Sequence, residues 1–290
     1  MEALTECLES LRACVAQCEI IVVGEKRDQS TRSVLMQRFP SVRYLESEES
    51  SAVVKRNMGI SRASNEILVF VDDDVVVESS WLQNLIRHYR DESVGGAGGR
   101  VKIPGLKPGS PNYKTGVIEN GFVIGNWNPP TTQPSEVHHL LGCNMSFRRT
   151  PVLKLGGFDN FFRSSNFREE TDLCLRIRRL GYRLIFDPDA TVLHKALGRK
   201  SMDTRWIYYY VRNTVYLYFK YQVKGGLSVV RFFRRLIFPP RDYAAMSGVK
   251  VTISPITMLV ATSGMVSGFL GYLGHRPAST IDVRTNPASA

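Results

Sequence analysis

The sequence predicts an α/β fold on a mainly parallel central sheet. Two observations lead there: helical patterns alternate with short apolar strands over residues 3–71, and a second helix-to-strand block occupies residues 168–193. Such alternation demands crossover units, which lay parallel strands side by side. A third observation places the site: the run VFVDDDVVV sets Asp72, Asp73 and Asp74 at the end of one predicted strand. Ligands of open α/β sheets bind at the carboxyl ends of strands.

Each element has its own signal. Leu4, Cys7, Leu8, Leu11 and Val15 recur at helical spacing, which predicts a helix over 3–16. CEIIVV (18–23) reads as a buried strand ended by the polar turn 24–28. A helix over 33–39, a strand over 42–45, a helix over 55–65, a strand over 67–71 and a helix over 81–89 follow. GGAGGRV (95–101) is not a dinucleotide fingerprint, since Pro104 and Pro108 prevent a helix from opening there. Its glycines are expected to serve close backbone packing. Residues 104–134, rich in Gly, Pro and Asn, predict a long loop with short strands, in which Trp127 is a packed aromatic or a sugar platform. A strand is expected within 138–149, then a turn-rich connection. REETDLCLRIRRL predicts a helix over 168–180, with Leu173, Ile177 and Leu180 on one face and acidic residues in its first turn. Strands over 182–186 and 191–193 flank Pro188 and leave His194 at a strand end.

The chain has 290 residues, 43% hydrophobic and 22% charged, which excludes bulk disorder. A net charge of +11 calls for an anionic partner, a demand that a nucleotide, a membrane surface or a nucleic acid would meet. No nucleic-acid reading motif accompanies the charge, so nucleic acid is not expected. Five cysteines without a CxxC pair predict a reducing cytoplasm. Cys14 and Cys18 are expected as small buried residues rather than half of a metal site.

Three like charges in one turn repel each other unless a cation compensates. Asp72 and Asp74 form a D-x-D pair whose side chains converge while Asp73 turns aside. Such an oxygen pair suits Mn2+ or Mg2+ shared with substrate phosphates. Glu169, Glu170 and Asp172 form a second acidic cluster, which supplies either a general base or simple helix capping.

The ordered motifs CEIIVV, VVKRNMGISRASNEILVFVDDD, GCNMSFRRTPVLKLGGFDNFFR and REETDLCLRIRRLGYRLIFDPDATVLH resemble the inverting family 2 glycosyltransferases of GT-A-type fold, the rhamnosyltransferase-like members among them. The likeness covers roughly residues 3–220. It implies transfer of a sugar from a nucleotide-diphosphate donor to an acceptor hydroxyl, with inversion and a divalent metal. By resemblance, Asp74, His194 and Asp72 hold the metal, and Glu25, Arg56, Asp72 and Asp73 meet the donor. Glu170 is the base, supported by Glu169, Asp172 and Asn144, with Asp172 pairing Arg176 one turn on. Family members begin with a strand that this sequence lacks, which is expected to leave neighbouring strand edges unpaired.

Residues 1–205 are expected to be the catalytic domain, 206–275 a helical, membrane-associated segment and 276–290 a flexible tail. Arg231, Arg234 and Arg235 lie among Phe232, Phe233, Leu236, Ile237 and Phe238, a mixture suited to an anionic membrane surface. Residues 251–273 carry no charge, but Pro255 and many Ser, Thr and Gly residues weaken a spanning reading. Peripheral contact at the inner membrane face, with a glycan or lipid-linked acceptor, is the expectation. Two rivals stand beside it. Asp72, Asp74 and Val76 also match the DxDxV nucleophile motif of haloacid dehalogenase-type phosphatases, and the absent first strand allows a non-catalytic, glycosyltransferase-like nucleotide-sugar-binding protein.

Overall fold

Helix α1 (Glu2–Cys14) buries Cys7, Leu8 and Leu11 on one face, as their spacing requires. Strand β1 (Ile21–Glu25) then pairs in parallel with β2 (Arg43–Ser47), and α2 (Gln29–Arg38) makes the crossover. Asp28 caps α2 by accepting from the Thr31 amide, and Ser51 caps α3 (Ala52–Arg62) through the Val54 amide. Strands β3 (Ile67–Val71) and β4 (Val75–Val77) bracket the three aspartates. Next come α4 (Trp81–Ile86), a 3-10 turn, β5 (Val94–Lys102), β6 (Val117–Glu119), β7 (Phe122–Ile124) and β8 (Ser135–Val137). Strand β9 (Asn144–Arg148), α5 (Arg149–Lys154), α6 (Glu169–Arg179) and β10 (Arg183–His194) complete the sheet region, and α7 (Thr204–Tyr221), α8 (Gly226–Ile237) and α9 (Pro255–Leu273) follow. This computed structural model describes residues 2–14, 18–105, 107–109, 114–119, 122–125, 127–162, 167–195, 203–221, 226–237 and 254–274; the expected tail, and most of the stretch before α9, lie outside them.

The α/β class holds, and the sheet is mixed. Its order is β3-β9-β5-β10-β4, with β8 also on β10. The pairing of β5 with β10 is parallel, as crossover units require. The pairings of β9 with β3 and β5, and of β10 with β4 and β8, are antiparallel. Hydrophobic periodicity reports burial and not direction, so the expected mainly parallel sheet becomes a mixed one when β9 enters between β3 and β5. β1 and β2 form their own two-stranded sheet. Among the described residues no strand joins β1 to β3, and apart from buried Leu68 and exposed Glu25 their side chains are only partly covered. Glu19 ties the approach to β1 to Ser64, which precedes β3, by accepting from its amide and hydroxyl at 3.0 Å.

Three local expectations change. The two strands set on either side of Pro188 are one twelve-residue strand, β10. It absorbs the proline through a register irregularity between Asp187 and Val192, with the Pro188 carbonyl accepting from Arg100 and Thr191. The turn-rich connection after β9 begins with α5. Cys14 is partly exposed and Cys18 exposed, because α1 ends at Cys14 and β1 starts only at Ile21.

Close packing does explain the glycines of β5. A Cβ at Gly99 would overlap the Ala190 carbonyl oxygen of β10. Backbone at that contact cannot swing aside as a side chain could, so Gly99→Ala is expected to cost about 2–3 kcal/mol, read as a lower urea midpoint at unchanged slope. Helix α7 also belongs with the sheet: Tyr216 and Leu217 sit in the same core as Met145, Phe147, Leu173 and Phe186.

Candidate functional site

Register brings the first cluster together. Strand β10 runs antiparallel to β4 with His194 opposite Val75, so the imidazole arrives beside the aspartate turn, and the Lys195 amide donates to the Asp74 carbonyl at 2.9 Å. His194 Nε2 stands 3.7 Å from Asp72 Oδ2 and 3.6 Å from Asp74 Oδ1. These gaps exceed a hydrogen bond. They match the spacing of about 3–4 Å between two ligands of one small cation held at ~2.1 Å. Asp73 points to solvent. Burial and the two neighbouring carboxylates push the Asp74 pKa up against the pull of His194. For Asp72, burial raises the pKa, but His194 and Arg56 outweigh it and hold the carboxyl below its usual range.

One residue of this cluster had no sequence signal. The ligand atoms of Asp72, Cys143 and His194 all lie within 4.8 Å of one another. Cys143 stands just before β9, which pairs with β3 and begins at Asn144 opposite Val71. Burial, then the charge of Asp72, drives its thiol pKa up, which keeps it protonated. A hard cation would therefore take the two carboxylates and the imidazole, a donor set that fits Mn2+ or Mg2+.

The second cluster hangs on a strained turn. Arg168, buried and at φ 74°, adopts the left-handed conformation that non-glycine residues avoid, with its guanidinium over the Phe167 ring at 4.6 Å. The turn delivers Glu169 and Glu170 into the interior at the start of α6, where they are 3% and 9% exposed. Burial raises both pKa values, that of Glu169 to about 8, with the charge of Glu170 adding to it.

Arg56 joins the two clusters. Nη1 donates to Glu169 Oε1 at 2.8 Å, and Nη2 pairs with Asp72 Oδ1 at 3.3 Å. Gly142 leaves room for it, since a Cβ there would stand 3.1 Å from Nη2. The second Glu169 oxygen has no hydrogen-bond partner among the described residues.

The remaining expected residues fall outside this bridge. Asp172 is fully buried and accepts from Arg176 at 2.7 Å, as its spacing predicted, and also from Lys220 Nζ at 2.7 Å and Tyr221 Oη at 2.6 Å. Burial pushes its pKa up, but Arg176 and Lys220 more than offset that, so it fastens α6 to α7. Asn144 donates both amide hydrogens, to the Arg100 and Ala190 carbonyls, and accepts from Trp81 Nε1 at 2.9 Å. It braces the strands behind Asp72. Glu25, exposed at the end of β1, pairs with Lys55 at 3.3 Å. Trp127 is partly buried with its ring edge-on to His139 at 4.9 Å, the packed arrangement.

Comparisons with known proteins bear on the family and the fold. Residues 2–209 match the family described as glycosyltransferase like family 2. A pre-mycofactocin glycosyltransferase of Mycobacterium tuberculosis is 27% identical over 139 residues, covering 48% of this chain and 29% of its own length. A glucosyl-dolichyl phosphate glucuronosyltransferase of Haloferax volcanii is 26% identical over 166 residues, covering 53% and 50%. The chain thus spans half or less of the length of these relatives. Among solved structures, the mannosyltransferase PcManGT from Pyrobaculum calidifontis, in complex with GDP-Man and Mn2+, superposes with a TM-score of 0.55 at 15% identity, covering 94% of this chain and 83% of that one. The fold is that of the GT-A glycosyltransferases.

Proposed function

The chain belongs to glycosyltransferase family 2, and from that premise we propose that it moves a sugar from a nucleotide-diphosphate donor to an acceptor hydroxyl with inversion. One observation carries the reading: His194 closes on Asp72 and Asp74 while Arg56 ties Asp72 to the Glu169–Glu170 turn. Mn2+ or Mg2+ held by Asp72, Asp74 and His194 would neutralise charge on the departing diphosphate. Asp72 and Asp73 face the donor, Arg56 steadies Asp72, and Glu25 lies at the nucleotide end of β1.

Glu170 acts as the base. Glu169 is engaged by Arg56 and Asp172 by three donors, whereas no side-chain hydrogen bond or ion pair of the described residues holds Glu170. Its raised pKa improves it as a proton acceptor, because basicity rises towards the working pH. A base on the face of the sugar opposite the leaving group gives inversion. The acceptor is a glycan or a lipid-linked glycan met at the cytoplasmic face of a membrane. Two observations support this: α9 is long and apolar enough to cross a bilayer, and the Haloferax relative is named for a dolichyl phosphate substrate.

The test screens UDP-, GDP- and dTDP-sugars for manganese-dependent binding and hydrolysis. Asp74→Ala is expected to abolish the manganese dependence of binding, and unchanged binding would remove Asp74 from the metal site. Donor binding without any turnover would favour a binding protein instead, a reading kept open by the separate β1–β2 sheet.

A further inference from the structure

Helix α9 packs on α7 through glycine. A Cβ at Gly264 would stand 2.7 Å from the Tyr208 carbonyl oxygen, one at Gly268 would overlap the Arg212 carbonyl, and one at Gly271 would overlap the Phe161 ring. With these positions turned inward, Ile256, Leu259, Val266, Leu270 and Leu273 form a stripe at helical spacing along the outer face, each 55–72% exposed. So long an apolar stripe is not left to water in a protein at rest.

The charge beside it identifies the cover. Between α7 and α9 lies a groove of about 680 Å3, lined by Phe161, Arg212, Leu259, Ser263, Val266 and Leu270 among others. Arg212 sits in it with its guanidinium 3.8 Å above the Phe161 ring. It donates to the Asn213 side chain at 2.9 Å and to the Phe161 carbonyl at 3.2 Å, and no carboxylate of the described residues pairs with it. Burial lowers its pKa, and only the tyrosines Tyr208, Tyr209 and Tyr216 pull the other way. A half-buried cation without a counter-charge, at the edge of an apolar stripe and beside serine and threonine hydroxyls, matches an amphiphile with an anionic head and an apolar chain. The neighbouring α8 adds exposed Val230, Arg231 and Arg234 while Phe232 and Leu236 pack inward.

We propose that the α7–α9 groove holds the phosphate of an anionic membrane lipid on Arg212, with the lipid's chain lying along Leu259, Val266 and Leu270. This rests on the membrane contact of the proposed function and not on its transfer chemistry. The groove also adjoins the site: Arg212 bonds Phe161, and the next residue, Asn213, donates to the Phe167 carbonyl two residues before Glu169.

The test co-sediments the full chain with vesicles of phosphatidylcholine alone and of phosphatidylcholine with phosphatidylglycerol. The native chain is expected to prefer the anionic vesicles. Arg212→Gln is expected to lose roughly fivefold of that preference, the worth of one basic contact, and Arg212→Lys to keep most of it. Ser263→Trp, which fills the groove from an exposed position, should lose it equally and covers the case of an Arg212→Gln chain that fails to fold. Leu259→Glu should weaken binding to both vesicle types. Native preference retained by both Arg212→Gln and Ser263→Trp would overturn the groove assignment alone. No native binding to either vesicle would overturn the membrane contact as well, and would point to a protein covering the stripe. Manganese-dependent donor binding, measured alongside, reads the transfer chemistry separately.

Discussion

Glu170→Gln is expected to lower the rate of sugar transfer by about 10²–10⁴-fold, the usual worth of a positioned base, while leaving manganese-dependent donor binding intact. Glutamine keeps the size and shape of the side chain at a position only 9% exposed, so the change removes a proton acceptor without opening a cavity. The split matters, because loss of binding would make Glu170 a structural carboxylate. The native pH profile offers a second reading. Burial raises the Glu170 pKa, so the acid limb of kcat/KM should stand above the range of an ordinary carboxylate and vanish from the residual activity of the glutamine variant. A variant within a few-fold of native turnover would pass the role to Glu169. That residue is the poorer base, since its charge is already committed to Arg56.

What the sequence made legible was local. The D-x-D pair closes a strand of β-branched and aromatic residues, and ATVLH ends another strand in histidine; both facts are written in short stretches, and both survive in the structure. Glu169 and Glu170 announced themselves as the first turn of a helix with a clear apolar face. The bridge between the clusters was not legible, because Arg56 and Glu169 lie 113 residues apart and nothing in KRNMG or REETD encodes the other. Cys143 stayed hidden for the same reason, since its approach to Asp72 and His194 follows from β9 entering beside β3. Asn144 supports the site only through the frame. Adjacent to the site in register, it is spent on three structural hydrogen bonds, partners that only the folded chain reveals.

Removing Arg56 should do more damage than removing either carboxylate it holds. Arg56→Met leaves Glu169, 3% exposed, without its cation, and breaking one side of a buried pair costs about 3–5 kcal/mol wherever the carboxyl is ionised. The pH dependence fixes the cause. In the native fold the Glu169 pKa is already raised to about 8 from 4.5. A raised carboxyl favours the fold fully below its unfolded pKa and loses that contribution as pH climbs through the folded one. Without Arg56 the folded pKa rises further, so the variant's deficit from this carboxyl should stay constant up to about pH 8, where Glu169 is protonated in both folded proteins, and grow only above it, as the native carboxyl ionises beside the guanidinium and the variant's cannot. Urea midpoints on either side of that pH, compared with native protein, measure it. A deficit that stays flat with pH would mean that Arg56 stabilises through its packing over the Phe158 ring and not through charge. Arg56→Met combined with Glu169→Gln is then decisive, because a neutral partner no longer requires the guanidinium: the double variant should recover most of the lost stability at alkaline pH. It should still bind donor weakly, since Asp72 loses its second cation and Arg56 steadies that carboxylate from the side opposite His194.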